Sequence, residues 1–220
     1  MLNINDDIDV GSAWIRPAAD ANISLRGGGT IHKSSDATYP LFFLAYSGSK
    51  LILRDATLKG YSSNSMPLVY VGSSSALFVM LGGEISGNSA SLVDGGGVHV
   101  GDGAFIMYGG TISGNEANYG GGVFVDGGNF TMYGGTISGN EATYGGGVLV
   151  DATTGGTFNK TGGTIYGDTD TTNSPPENTA SSGNGHAVYV DSSPAKKRNT
   201  TADTGNDMNS SIDGSSGGWE

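Results

Sequence analysis

The residues from 108 to 126, YGGTISGNEANYGGGVFVD, recur at 133 to 151 as YGGTISGNEATYGGGVLVD, with only Asn118/Thr143 and Phe124/Leu149 different. Self-similarity at a short fixed period restricts architecture more than any other sequence feature. Aligned on the apolar residue of the GGTI step, the anchors are Ile31, Leu58, Ile85, Ile112, Ile137 and Ile165, spaced by 27, 27, 27, 25 and 28 residues. The period therefore extends far beyond the two near-identical copies.

Each period contains three short elements. The first alternates in Leu51/Leu53, Phe78/Met80, Phe105/Met107 and Phe130/Met132, then Phe158 with Lys160 breaking the pattern. Alternation of period two over a few residues is a strand signature. The second element surrounds each anchor and is followed by Asn88, Asn115 and Asn140 at one offset. The third reads VYV at 69–71, VHV at 98–100, VFV at 123–125, VLV at 148–150 and VYV at 188–190, with Phe42-Phe43-Leu44 as its first member. Gly pairs and triplets separate these elements and supply corners. No segment carries a helical period of 3.6 with caps. Three strands turning at Gly every 25 to 28 residues predict an all-β, right-handed, single-stranded parallel β-helix, a pectate-lyase-like solenoid of about six coils. At a rise of about 4.8 Å per coil the rod is roughly 30 Å long.

The expected organisation is an N-terminal cap over 1–22, the β-helix over 23–190, and a polar tail or cap over 191–220. A stacked sheet needs such caps because its end rungs offer unpaired backbone groups. A surface loop, DTDTTNSPPENTASSGN, expands the last coil at 168–184, and Trp219 is the expected pin of the tail.

Composition narrows the classes of function. There are 40 Gly and no Cys, and the net charge is −11, from 10 basic and 21 acidic residues. The one basic cluster is Lys196-Lys197-Arg198, so nucleic acid is not an expected partner. Without Cys there are no disulfides and no thiolate metal sites. No apolar run reaches the length of a membrane helix, and the start, MLNINDDIDV, has no signal segment. An exported protein with this sequence would have lost its signal, or be a fragment behind an added Met.

The steps Gly121-Gly122-Val123-Phe124 and Gly146-Gly147-Val148-Leu149, together with GGTISGN, resemble the repeats of polymorphic outer-membrane proteins and related adhesins of bacterial surfaces. The resemblance spans about 23 to 190. It implies a non-catalytic, adhesin-like or spacer module at the outer cell surface or outside the cell, whose partner is a host or cell-surface protein or a glycan, with no cofactor. The same fold also hosts polysaccharide lyases and glycoside hydrolases, so a carbohydrate-active enzyme is the alternative.

Candidate sites follow from the columns that stacking creates. Between the inward Val residues of the third strand lie Tyr70, His99, Phe124, Leu149 and Tyr189, with Phe43 before them. An outward column should be polar; this one is apolar and aromatic, which suits a binding face or simple rung-to-rung stacking. Asp126 and Asp151, with Asp191 beyond, follow the same strand. Carboxylates one rung apart approach the spacing of about 5 Å used by retaining glycosidases and can share a Ca²⁺, yet Asp after a strand is also ordinary turn chemistry. Near-identical consecutive coils leave no distinct concave reaction centre, so no catalytic residue is assigned. Glu116/Glu141 form a similar pair, His32, His99 and His186 fall at unrelated offsets, and Thr30, Thr57, Thr111, Thr136 and Thr164 make an outward column interrupted by Glu84.

Overall fold

A computed structural model describes residues 2–36, 38–167, 176–192, 196–198 and 208–209. Among these residues every regular element is a strand, and the strands stack in parallel as a β-solenoid of about six turns. Among the described residues no helix is long and apolar enough to cross a membrane.

One coil shows how the residues produce the turn. In Ala104–Met107, Phe105 and Met107 point inward and are fully buried. The chain turns at Gly109-Gly110, where Gly110 has a φ of 90°, and enters Thr111–Ser113, which buries Ile112. It turns again at Asn115, runs through Glu116–Tyr119, and turns at Gly120 (φ 63°) into Val123–Val125. The next coil repeats this in exact register. Phe105 pairs with Phe130, Ile112 with Ile137, and Val123 with Val148.

Registration stacks like on like inside the rod. Phe78, Phe105, Phe130 and Phe158 form a continuous face-to-face column with ring centroids 4.7, 4.7 and 5.0 Å apart. Each ring contributes about 1.5–3 kcal/mol by burial, and each stacked pair about 0.5–1.5 kcal/mol more. Lys160, which takes the Met position of the last coil, is also fully buried, at the end where Met208–Asn209 adds to the sheet.

The three-strand expectation needs an addition. A fourth, short parallel sheet consists of Ser89–Asp94, Glu116–Tyr119, Glu141–Ala142 and Thr179–Ala180. It lies on the corner between the second and third strands. Its small inward residues, Ala90, Ala117, Ala142 and Ala180, are at most 4% exposed. In the coil that starts at Ile85 this strand carries two extra residues, because Ala90 pairs with Ala117 but Asp94 pairs with Tyr119. The bulge lifts Leu92 into solvent at 92% exposure and accounts for the spacing of 27 rather than 25 in that coil.

A buried amide ladder holds the same corner. It has five members: Asn64, Asn88, Asn115, Asn140 and Asn178. Asn140 donates from Nδ2 to Asn178 Oδ1 (2.8 Å) and to the carbonyls of Ile112 and Ser138, while its own Oδ1 accepts from the Asn115 backbone and side chain, both at 3.0 Å. The third glycine of each triplet makes room for it, and the second for the backbone of the next coil. A Cβ on Gly122 would stand 3.1 Å from Asn140 Nδ2 and 2.6 Å from the Gly147 carbonyl oxygen. In the first coil Lys33 serves the corner instead, donating to the Tyr39 carbonyl at 2.9 Å; burial pushes its pKa down to about 8, with Asp36 opposing.

Both ends are closed by chain. Leu2–Asn3 and Ile8–Asp9 pair in parallel with Asn22–Arg26 and Thr30–His32, so the N-terminal segment already lays a partial rung. Lys196–Arg198 pairs antiparallel with Val188–Val190 of the last third-strand rung, and Met208–Asn209 does so with Asn159–Lys160. Much of the 168–184 loop (168–175), Ile212 and Trp219 lie outside the described residues.

Candidate functional site

The third strands bring their outward residues into one column. Phe43, Tyr70, His99, Phe124, Leu149 and Tyr189 are consecutive register partners. Rings touch along its first part: Phe43–Tyr70 at 5.4 Å, Tyr70–His99 at 4.7 Å and His99–Phe124 at 4.9 Å, all tilted or edge-on. The Tyr70 ring lies down along the strand, over Gly72 and Gly101. A Cβ at Gly72 would meet it at 2.4 Å, so glycine there is a requirement of the ring.

The column differs from the expectation of an open face. Phe124 and Leu149 are only 6% and 4% exposed. Tyr119, at the end of the corner strand Glu116–Tyr119, and Tyr144, bridged to it, line the same hollow as Phe124 and Leu149. Tyr119 and Tyr144 form a second row, with ring centroids 5.8 Å apart, which meets the column at Tyr189, 5.6 Å from Tyr144. The predicted column is therefore the floor of a groove, and the tyrosine row is a wall.

Three adjoining hollows follow the groove. The largest, about 400 Å³, has Phe124 and Leu149 as floor and the three tyrosines as wall. Asp94, Asp151 and Asp191 add carboxylates to its lining. A second, about 320 Å³, shares Asp94 with it and reaches past Leu92 and His99 to Tyr70. A third, about 290 Å³, shares Met66 and Tyr70 with the second and ends at Tyr39 and Phe43. Trp14 stacks on Tyr39 at 4.7 Å and extends the aromatic surface at that end, with the Arg16 guanidinium 4.8 Å above its ring. Apolar walls with a few polar groups are the usual make-up of a ligand site.

The electrostatics of the groove are one-sided. No Lys or Arg lines the three hollows among the described residues. Burial and then Asp126 push the Asp94 carboxyl above its ordinary range. Tyr70 is raised by burial, Asp126 and Asp102, and Tyr189 by burial, Asp191 and Tyr144. His99 is pushed down to about 4, chiefly by burial, against the opposing pull of Asp126 and a hydrogen bond to the Asp94 main chain. Its Nε2 is buried without a hydrogen-bond partner, 4.0 Å from Asp126 Oδ2.

The carboxylate pair of the sequence, Asp126 and Asp151, is put to two different uses. Asp151 Oδ1 accepts from Thr153 N at 2.8 Å, Thr153 Oγ1 at 2.5 Å and Thr154 N at 3.2 Å, which is turn chemistry. Asp126 instead faces His99. No group of three or more His, Asp or Glu side chains is placed to hold a metal ion among the described residues. The other histidines stand apart: His32 lies 4.0 Å from Asp9, and His186 Nδ1 accepts from Ala180 N. Arg54 and Asp55 serve the scaffold, Arg54 Nε donating to Ser24 Oγ and Asp55 Oδ1 accepting from Gly27 N.

The walls carry a signal that column-by-column reading passes over. Asp94, Tyr119, Tyr144 and Asn184 all immediately precede the turn glycine before the third strand, at Gly95, Gly120, Gly145 and Gly185. Such a residue stands beside the strand that follows.

Fold and groove together define a parallel β-solenoid with an aromatic, acidic groove along one sheet. Protein-family profiles, curated proteins and solved structures yield no match to the chain.

Proposed function

We propose that this chain is a non-catalytic module of the cell surface or extracellular space that binds an extended partner along the third-sheet groove, in the manner of an adhesin. The observation that carries the reading is the coincidence of two aromatic rows with three adjoining hollows along the rod. The second sheet differs: it presents Thr57, Glu84, Thr111, Thr136 and Thr164 in register, a small polar array. The non-catalytic reading is favoured by Asp151, whose Oδ1 is already engaged in the local turn.

The rod itself suits display. In-register stacking gives a stiff body whose stability sums over neighbouring coils. Retention of cell-wall and extracellular-matrix fractions on immobilised protein tests the reading, with a Tyr144→Ser/Tyr189→Ser variant alongside. The wild type should retain material that the variant loses by at least about tenfold, the loss of one or two good ring contacts. Equal retention by both would remove the groove as the binding surface.

A further inference from the structure

We propose that the occupant of the groove is an amine-bearing glycan, a chain of β-linked amino sugars lying along the rod axis with about one sugar per coil. The inference rests on the binding reading above and adds the chemistry of the partner.

Three observations converge on it. The first is charge. The largest hollow is lined by Asp94, Asp151 and Asp191, with Asp126 close by against His99; after burial, Asp126 adds to the upward shifts of Asp94 and Tyr70 and Asp191 to that of Tyr189, and the chain as a whole carries −11. At one end Arg16 lies on Trp14, and at the other the strand Lys196–Arg198 pairs with Val188–Val190, Lys197 being the register partner of Tyr189. Between those ends the lining carboxylates disfavour a polyanion and draw in a polycation.

The second is ring chemistry. Tyr119, Tyr144 and Tyr189 present a row of aromatic surfaces beside the carboxylates. The flat apolar face of a pyranose packs on such rings, and an ammonium on the sugar gains from both the ring quadrupole and the carboxylate. Neither gain is available to an aliphatic or a neutral hydrophilic chain to the same degree.

The third is pitch, which separates a glycan from a basic peptide. Tyr119 and Tyr144 face each other across one coil with ring centroids 5.8 Å apart, and Asp151 and Asp191 are register partners one coil apart. An extended peptide places successive side chains of one face about 6.7 Å apart, so it falls out of step within a few coils. A pyranose ring is about as long as one coil rise and keeps step.

The test is calorimetric titration of the whole protein, in mildly acidic buffer, with a β-linked glucosamine hexamer, its fully N-acetylated counterpart and hexalysine. The glucosamine chain should bind most tightly. N-acetylation, which removes the charges and leaves the rings of the sugar intact, should weaken binding by at least about tenfold, and hexalysine should be weaker than the glucosamine chain. Raising the salt should weaken the glucosamine complex. Tyr144→Ser should cost about tenfold, and Asp191→Asn should reduce the salt dependence, with circular dichroism checking that each variant stays folded. Equal affinity for the N-acetylated chain, tighter binding of hexalysine, or no binding of the glucosamine chain would overturn the proposal. If a Tyr144-dependent partner is retained from cell-wall or matrix fractions but the glucosamine chain does not bind, the choice of ligand falls and the groove reading survives. If neither binds, both fall.

Discussion

Two ladders run the length of this rod, a few residues apart in each coil, and they are finished differently. In the asparagine ladder each amide donates and accepts within the protein; Asn140 alone makes three donor contacts and accepts two. In the third-sheet column the residue type changes at every coil, a buried nitrogen of His99 has no hydrogen-bond partner among the described residues, and hollows border the rings. A closed ladder holds a corner. An open one leaves free energy to be gained by something else, and that contrast separates scaffold from candidate site.

The contrast is broken most directly at Asn140. Asn140→Ala removes the partner of the Asn115 N–H and leaves the carbonyls of Ile112 and Ser138 without their donor. Each buried group so orphaned costs about 1–3 kcal/mol. Chemical denaturation should therefore show a loss of about 4 kcal/mol or more. A loss under about 1 kcal/mol would mean that the ladder is incidental to the corner.

His99 is the weak point of the open ladder, and its effect depends on pH. Its pKa in the fold is about 4 against an ordinary 6.5. Between those values the unfolded chain binds the extra proton and the folded chain does not, so stability falls as pH drops from about 6.5 to about 4 and is unaffected by this group above or below. The whole shift corresponds to at most about 3 kcal/mol. His99→Phe, which puts in this coil the residue found at 124, should flatten that slope in denaturation curves taken across the window. An unchanged slope would assign the acid sensitivity to other groups.

Gly122→Ala probes the space between the two ladders. The new methyl would approach the Gly147 carbonyl to 2.6 Å and Ile137 Cγ2 to 3.0 Å. Overpacking of this kind costs about 1–3 kcal/mol. A melting temperature equal to that of the wild type would show that the rungs can separate locally at no cost.

These comparisons also show what could be read from the chain. The stacking was legible because Phe105, Ile112 and Val123 recur at a fixed period, and repetition plus alternation leaves few other ways to bury them. Three of the five ladder amides share one offset and were visible. Asn64 and Asn178 reach the same corner from segments of different length; Asn178 stands 13 residues after Ile165, whereas Asn140 stands three after Ile137. Loop length hid them. The aromatic column was legible as a column, but its exposure was not, because Phe124 and Leu149 share a hollow with Tyr119 and Tyr144, which stand outside the column. Alternation tells which face a side chain takes and says nothing of what stands beside that face.

The smallest effect expected is the most discriminating for the site. Tyr108 and Tyr133 are also stacked on successive coils, with centroids 5.1 Å apart, and they are about half exposed, at 51% and 50%. They stand after the first strand, outside the groove, and line none of its three hollows. Tyr133→Ser and Tyr144→Ser thus remove the same side chain from equivalent stacks, one on an open ridge and one on the groove wall. Each should change stability by less than about 1 kcal/mol, since a partly exposed ring pair is worth little more than that. Retention of the partner should drop about tenfold for Tyr144→Ser and stay unchanged for Tyr133→Ser. If both variants lose binding equally, exposed aromatic surface in general is what the partner recognises, and the groove has no special part in it.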